Sequence, residues 1–254
     1  MNTATVTAAR TPGQKERSPS GRPRDPVESF RFPYYLRLNQ RRLEHLGSLG
    51  FDLCGKRVLE VGAGIGDLTT FFLDRECPVL STDARPEHVE LISSMVVDYP
   101  LLSAAVLDLE TPPPFTGQPF DIVFSYGLLY HLADPVPALD YMAHASSGLL
   151  LIESCVSYGD GESLNPVDED RLVFSQALHG RGCRPTRDWM LARLRERFPF
   201  VYLPRTQPAH EEFPLDWSRR PEGDLLSRAV FIASRLPLNN PLLQTSLPMN
   251  QSIA

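Results

Sequence analysis

"RVLEVGAGIGDLTTFFL", Arg57 to Leu73, sets a short apolar strand against three glycines in five residues and then an amphipathic helix. A glycine-rich turn after a strand lets a ligand approach bare backbone, and the helix start beyond it offers unpaired N–H groups. A dinucleotide site would use the spacing G-x-G-x-x-G for its pyrophosphate. Here the spacing is G-x-G-x-G, at Gly62, Gly64 and Gly66, and Glu60 stands two residues before the first glycine, where a phosphate would be repelled. A plain tight turn accounts for the glycines alone; the carboxylate asks for more.

Working outward, the chain alternates helix and strand. Phe32 to Leu49 has leucines at 36, 38, 43, 46 and 49 and reads as a helix. Expected strands are "RVLEV" (57–61), "PVLSTDA" (78–84), "SAAVLDLE" (103–110), "FDIVFSYG" (120–127) and "GLLLIESCV" (148–156), with helices at 67–75, 86–97 and 135–145 between them. Continuous apolar strands separated by helices predict an α/β fold, a parallel sheet covered on both faces. After a polar stretch, a helix over 186–198 leads to two last strands, "FVYLPR" (200–205) and "RAVFIASR" (228–235). The irregular stretches 157–185 and 206–227 follow core strands and read as substrate-side insertions in a domain of residues 30–236. Residues 1–29, rich in Pro, Ser, Thr and Arg, read as a disordered N-terminal segment, and 237–254 as a C-terminal tail.

The acids sharpen the ligand. Asp83 ends the second strand, where a carboxylate accepts from ribose hydroxyls. Asp108 ends the third, where it can accept from an adenine amino group. Three acids at successive strand ends, with bare backbone, suit a nucleoside that carries an ammonium group and no phosphate. S-adenosylmethionine (SAM) is such a molecule.

"VLEVGAGIGDLT", "STDARPEHVE", "VLDLE" and "FDIVFSYGLLYHLADP" together resemble the ordered motifs of class I SAM-dependent methyltransferases over residues 56–156. The resemblance implies a Rossmann-like, doubly wound, seven-stranded sheet of order 3-2-1-4-5-7-6 with the last strand antiparallel. It places Glu60, Gly62, Ala63 and Gly64 along the methionine part of the cofactor and Asp83 on the ribose. Ala84 and Arg85 would flank the adenine, Asp108 and Leu109 would meet its edge, and Ser125 and Tyr126 would close over the amino-acid end.

Methyl transfer needs a base only when the nucleophile arrives protonated. Tyr130 and His131 follow the fourth strand at the ligand-binding edge of the sheet, and a neutral imidazole is a suitable base; packing or helix capping is the other role open to His131. Glu153, a carboxylate inside the apolar fifth strand, must have a partner, and is a base, a ligand for a substrate ammonium or half of a buried salt bridge. Tyr34 and Tyr35 precede the first long helix and are substrate-binding candidates, placed to lid the site and pack on the sulfonium or the substrate, or else to pack in the core. "HGRGCRPTRDW" (179–189) gathers His179, Arg181, Arg184 and Arg187, an anion-gripping loop or a solvated turn; His179 and Arg184 are its substrate-binding candidates. The acidic, aromatic "PAHEEFPLDW" (208–217) could pair with it. No histidine or cysteine spacing supports a metal site.

The formal net charge of −6 over 254 residues argues against a nucleic-acid-binding field and toward a small-molecule substrate. Four dispersed cysteines fit reduced thiols in a cytoplasm. No apolar run is long enough for a membrane span, and the N-terminus lacks a secretory core. The reading is a methyltransferase acting on oxygen or nitrogen of a small molecule. The alternatives are a tRNA wobble-uridine carboxymethyltransferase, on likeness of "FSYGLLYHLADP" and "IESCVSYGDGES", a non-catalytic SAM-binding partner subunit, and a nicotinamide dehydrogenase. Nothing in the sequence chooses between a monomer and a homodimer.

Overall fold

The computed structural model describes residues 25–221, 223 and 225–254. The expectation of disorder over 1–29 falls outside the described residues up to position 24; from Asp25 the chain is ordered into a helix. Its start is chemically marked: the Asp25 carboxylate accepts from the Glu28 N–H at 2.8 Å and proline occupies the first turn of α1 (Pro26–Phe30). A second proline-initiated helix, α2 (Pro33–Ser48), follows at once. Its buried face holds Asn39, Arg42 and His45 beside Leu38 and Leu46, which is unusual for a simple core stripe.

Strand β1 (Val58–Val61) is wholly buried. The helix expected over 67–75 shortens to α3 (Thr70–Leu73), because the preceding residues close i to i+3 turns, Gly66 to Ala63 and Thr69 to Gly66. Then come β2 (Val79–Asp83), α4 (Pro86–Ser94) and β3 (Leu102–Val106). That strand ends earlier than expected, so Asp108 lies in the turn beyond it. Next are β4 (Phe120–Tyr126), α5 (Val136–Ala145) and β5 (Ser146–Val156). The stretch 157–185 contains a small hairpin, β6 (Pro166–Asp168) with β7 (Arg181–Cys183). The chain continues as α6 (Arg187–Arg195), capped by Thr186, then β8 (Phe200–Pro204), β9 (Thr206–Gln207) and β10 (Ser227–Ser234). Two short strands, β11 (Leu243–Gln244) and β12 (Ser252–Ile253), close it.

The main sheet runs β11-β8-β10-β5-β4-β1-β2-β3. Strands β3, β2, β1, β4 and β5 pair in parallel, and β10 is antiparallel to both β5 and β8. The expected 3-2-1-4-5-7-6 order is therefore present, with one strand more than expected. The eighth comes from the segment 237–254, whose Leu243 pairs with Pro204 at the sheet edge. That segment also ties down the 206–227 insertion: Trp217 Nε1 donates to Gln251 Oε1 at 2.8 Å, and β12 pairs with β9.

Alternation along β1 and β4 splits the core in two. Leu59, Val61 and Val123 face one layer with Leu139, Ile152 and Leu194; Val58, Ile122 and Phe124 face the other with Leu38, Phe72 and Ile232. Among the described residues no helix is long and apolar enough to cross a membrane.

Candidate functional site

At the carboxyl ends of the parallel strands a cleft of about 910 Å³, open solvent included, lies over the glycine turn. Gly62, Ala63 and Gly64 form its floor, Asp83 and Ala84 one wall, and Asp108, Leu109 and Tyr126 others. Gly64 is required there: its φ is +58°, and a Cβ would lie 2.9 Å from the Phe30 ring. Phe30 of α1, Tyr35, Asn39 and Arg42 of α2, and the loop around Phe174 form the roof.

Asp83 is tightly organised. Its Oδ2 accepts from the Gly64 N–H at 2.8 Å, and its Oδ1 accepts from the Arg85 N–H and lies 2.9 Å from His88 Nδ1. With Nδ1–H aimed at the carboxylate, Nε2 of a neutral His88 keeps its lone pair; that atom is buried and has no partner. The His88 ring meets Phe30 edge-on at 5.3 Å and Phe174 at 5.9 Å. Arg85 lines the cleft but spends its guanidinium on the roof, with Nη2 donating to the carbonyls of Arg171, Val173 and Gln176. Asp108 accepts from the Glu110 N–H, and its other oxygen is 2.7 Å from His179 Nε2. His179 thus sits at the Asp108 end of this cleft.

Three expected residues line neither this cleft nor the second cavity beside it. Glu60 lies beneath the glycine turn, where its Oε2 accepts from the hydroxyls of Thr69 and Ser81, at 2.5 and 2.9 Å. Burial pushes its carboxyl up to about 7 against the pull of those hydrogen bonds, with Asp83 adding to the rise. The period of the strand explains the miss: Glu60 points to the face opposite Leu59 and Val61. Ser125 is fully buried in β4 and its hydroxyl has no partner. Glu153, fully buried in β5, is half of an ionic cluster on neither cavity wall: its Oε2 accepts from Arg42 Nη2 at 2.5 Å and its Oε1 from Arg228 Nη1 at 3.0 Å. It has no proton-accepting position left facing a substrate.

A second cavity adjoins the first and shares Tyr35, His131, Ser175 and Gln176 with it. Tyr34, Tyr130, Glu169, Arg184, Glu212 and Arg228 line it. His131 Nδ1 lies 2.5 Å from Glu169 Oε2, and the same carboxylate accepts from Arg184 Nη2 at 3.1 Å and from the Ala177 N–H at 2.8 Å. Burial pushes the Glu169 carboxyl up, but His131, Arg184 and the Ala177 N–H outweigh it and hold the group at about 2. The hairpin makes this contact because β7 passes against Tyr130; a Cβ on Gly182 would be 2.3 Å from the Tyr130 carbonyl oxygen. The Tyr130 ring packs on His131 at 4.0 Å, and its hydroxyl accepts from Arg228 Nη2 at 3.3 Å. Burial raises that hydroxyl's pKa well above the ordinary tyrosine value, although Arg228 lowers it. Tyr34 donates to Glu212 at 2.7 Å, and Glu212 also accepts from Arg228 Nε.

Sequence reasoning missed Phe30, Asn39, Arg42, His88, Glu169, Phe174, Glu212 and Arg228. One signal was available: Glu153 and Arg228 are opposite charges inside apolar strands, and the β5–β10 register sets them two residues apart on the diagonal. Among the described residues no group of three or more His, Cys, Asp or Glu side chains is arranged to hold a metal ion.

A family described as "Methyltransferase domain" matches residues 59–146. "Ubiquinone biosynthesis O-methyltransferase" of Xylella fastidiosa (strain 9a5c) is 33% identical over 113 residues, covering 42% of this chain and 44% of that protein. "tRNA U34 carboxymethyltransferase" of Ectopseudomonas mendocina (strain ymp) is 34% identical over 142 residues, covering 53% and 41%. The chain thus spans less than half the length of these curated relatives. Among solved structures, the N-terminal domain of EvdMO1 with SAH and D-fucose superposes with a TM-score of 0.59 at 20% identity, covering 78% of this chain and 82% of that one. An S-adenosylmethionine-dependent methyltransferase from Mesorhizobium loti does so with 0.55 at 17% identity, covering 77% and 98%. At these identities the structural likeness is one of fold.

Proposed function

We propose that this chain is a class I SAM-dependent methyltransferase that transfers a methyl group to a protonated oxygen or nitrogen of a small molecule, with His131 taking the proton. The cleft suits the cofactor on its own geometry. Gly62 and Gly64 offer backbone without side chains, Asp83 and Asp108 supply carboxylates, and no wall residue forms a phosphate cradle of the dinucleotide type. The buried Arg42 Nε, without a partner, is a donor for the cofactor's amino-acid carboxylate beside Gly127 and Tyr126. Bound SAM supplies an already activated methyl group on its sulfonium, so the protein's own task is positioning and proton removal.

The observation that carries the reading is the His131–Glu169 pair at the wall common to both cavities. Glu169, ionised at neutral pH, holds the proton of Nδ1, which leaves Nε2 as the acceptor and stabilises the imidazolium once formed. In this reading Tyr130 keeps its proton and fixes the imidazole by packing. The acceptor's proton passes to Nε2 as its oxygen or nitrogen gains the methyl group. Four unpaired cysteines, three of them buried, support a reducing compartment such as the cytoplasm.

His131→Ala tests this. Turnover should fall about a hundredfold or more, in the range of lost general-base catalysis, while affinity for S-adenosylhomocysteine (SAH) stays within a few fold. Equal loss of both would assign His131 a structural role.

A further inference from the structure

The second cavity is aromatic in its walls and electrically closed. Phe32, Tyr34, Tyr35 and Tyr130 line it, with Leu38 and Leu226. Three guanidinium groups in and behind it face three carboxylates: Arg184 with Glu169, Arg228 with Glu212 and Glu153, and Arg42 with Glu153. All six side chains are at most 12% exposed. We propose that this cavity takes an uncharged ring bearing a hydroxyl group, and that its mutually paired charges exclude anionic acceptors. The inference rests on the methyl-transfer reading and names its substrate class.

The hydrogen-bond inventory leaves little room for another charge. Arg228 commits all three nitrogens, Nε to Glu212, Nη1 to Glu153 and Nη2 to the Tyr130 hydroxyl. Arg184 gives Nη1 to the carbonyls of Tyr130 and Cys183 and Nη2 to Glu169. A carboxylate or phosphate would have to share guanidinium groups already paired with buried carboxylates, and the cluster holds no net positive charge to draw it in. A cation meets the same balance: Glu212 already accepts from Tyr34 and Arg228, and Glu169 from Arg184, His131 and the Ala177 N–H. Besides these pairs the cavity presents aromatic faces, the side chains of Ser175 and Gln176, and the second nitrogen of His131. A flat or puckered ring covers the faces, and its hydroxyl meets the nitrogen. A phenol and a sugar share that chemistry. An RNA backbone does not, which sets this chain apart from its tRNA-modifying relative.

Calorimetric titration of the SAH-loaded protein tests it, with two matched pairs of probes. Catechol is compared with 3,4-dihydroxybenzoate, and a methyl galactoside with the corresponding methyl galacturonoside. At least one neutral probe should bind, and its carboxylated partner should bind about tenfold more weakly or worse; the pair that responds tells the phenol from the sugar. Glu212→Gln leaves the Arg42, Arg228 and Glu153 cluster with one uncompensated positive charge, so it should erase most of that gap. Tyr34→Phe keeps the charge count and should preserve the gap. SAH titration reports whether each variant is folded, and if Glu212→Gln is not, the wild-type comparison alone decides. The proposal is overturned if a carboxylated probe binds as well as its neutral partner, if no neutral probe binds up to its solubility, or if folded Glu212→Gln keeps the full gap. These readouts involve no turnover, so they stand or fall apart from the His131→Ala experiment.

Discussion

Asp83 holds three donors before any ligand arrives: two backbone N–H groups and His88. The carboxylate is thereby oriented, and the partnerless Nε2 of His88 lies in the same wall of the cleft. His88→Phe keeps an aromatic ring between Phe30 and Phe174 and removes both nitrogens. SAH affinity should then fall about tenfold, as one hydrogen bond of about 1 kcal/mol and the set of Asp83 are lost together. The melting temperature should change little. Calorimetry checks this, and unchanged affinity would exclude His88 from cofactor binding. At this scale the sequence disclosed what the motif spacing dictates. Asp83 ends its strand, and Gly62, Gly64 and Asp108 follow closely after theirs, so their place follows from where the strands stop. Glu60 has the same look in the sequence, yet strand alternation turns it under the turn. Glu169 was invisible because 38 residues separate it from His131, and no local pattern marks a contact made by a folded-back hairpin.

Elements packed against the cleft carry two buried groups with opposed titrations. In β1, Glu60 keeps its proton up to about 7, against an ordinary 4.5. In α2, burial pushes His45 down to about 4 from 6.5, against the upward pull of its hydrogen bond to Thr206. For Glu60 the raised carboxyl gives stability that is complete below pH 4.5 and lost as pH rises through 7. For His45 the unfolded chain takes up a proton below pH 6.5 that the folded chain refuses until about pH 4, so stability falls as pH drops through that window. Each shift corresponds to about 3 kcal/mol, and the two slopes oppose each other between pH 4.5 and 6.5. Urea unfolding of the wild type should therefore change with pH less steeply there than that of a variant without the Glu60 carboxyl. Glu60→Gln should uncover a loss of about 3 kcal/mol from pH 6.5 to 4, with His210, also lowered by burial, adding in the same direction. Identical pH slopes for the two proteins would refute this. Helix and strand positions were largely legible, since apolar runs and proline starts mark them. The single turn of α3 was not, because its apolar residues keep helical spacing while the chain before it closes in tighter turns.

In the whole molecule, the sheet order follows from alternating helices and apolar strands, and it was readable from sequence to within one strand. The unread strand is β11, two residues long, whose pairing depends on where Pro204 ends β8 and on nothing in its own composition. The same distance problem hid the roof: α1 and the loop near Phe174 come together from segments far apart in the sequence. What the fold assembles is one cleft with carboxylates at its strand ends and a second cavity joined to it at His131. The central claim is that the first of these is built for an adenosyl sulfonium or thioether and against a pyrophosphate. Calorimetry of the wild-type protein with SAH and, separately, with NAD tests it directly. The account predicts saturable binding of SAH at one equivalent and no heat from NAD. Tight NAD binding with no response to SAH would contradict it.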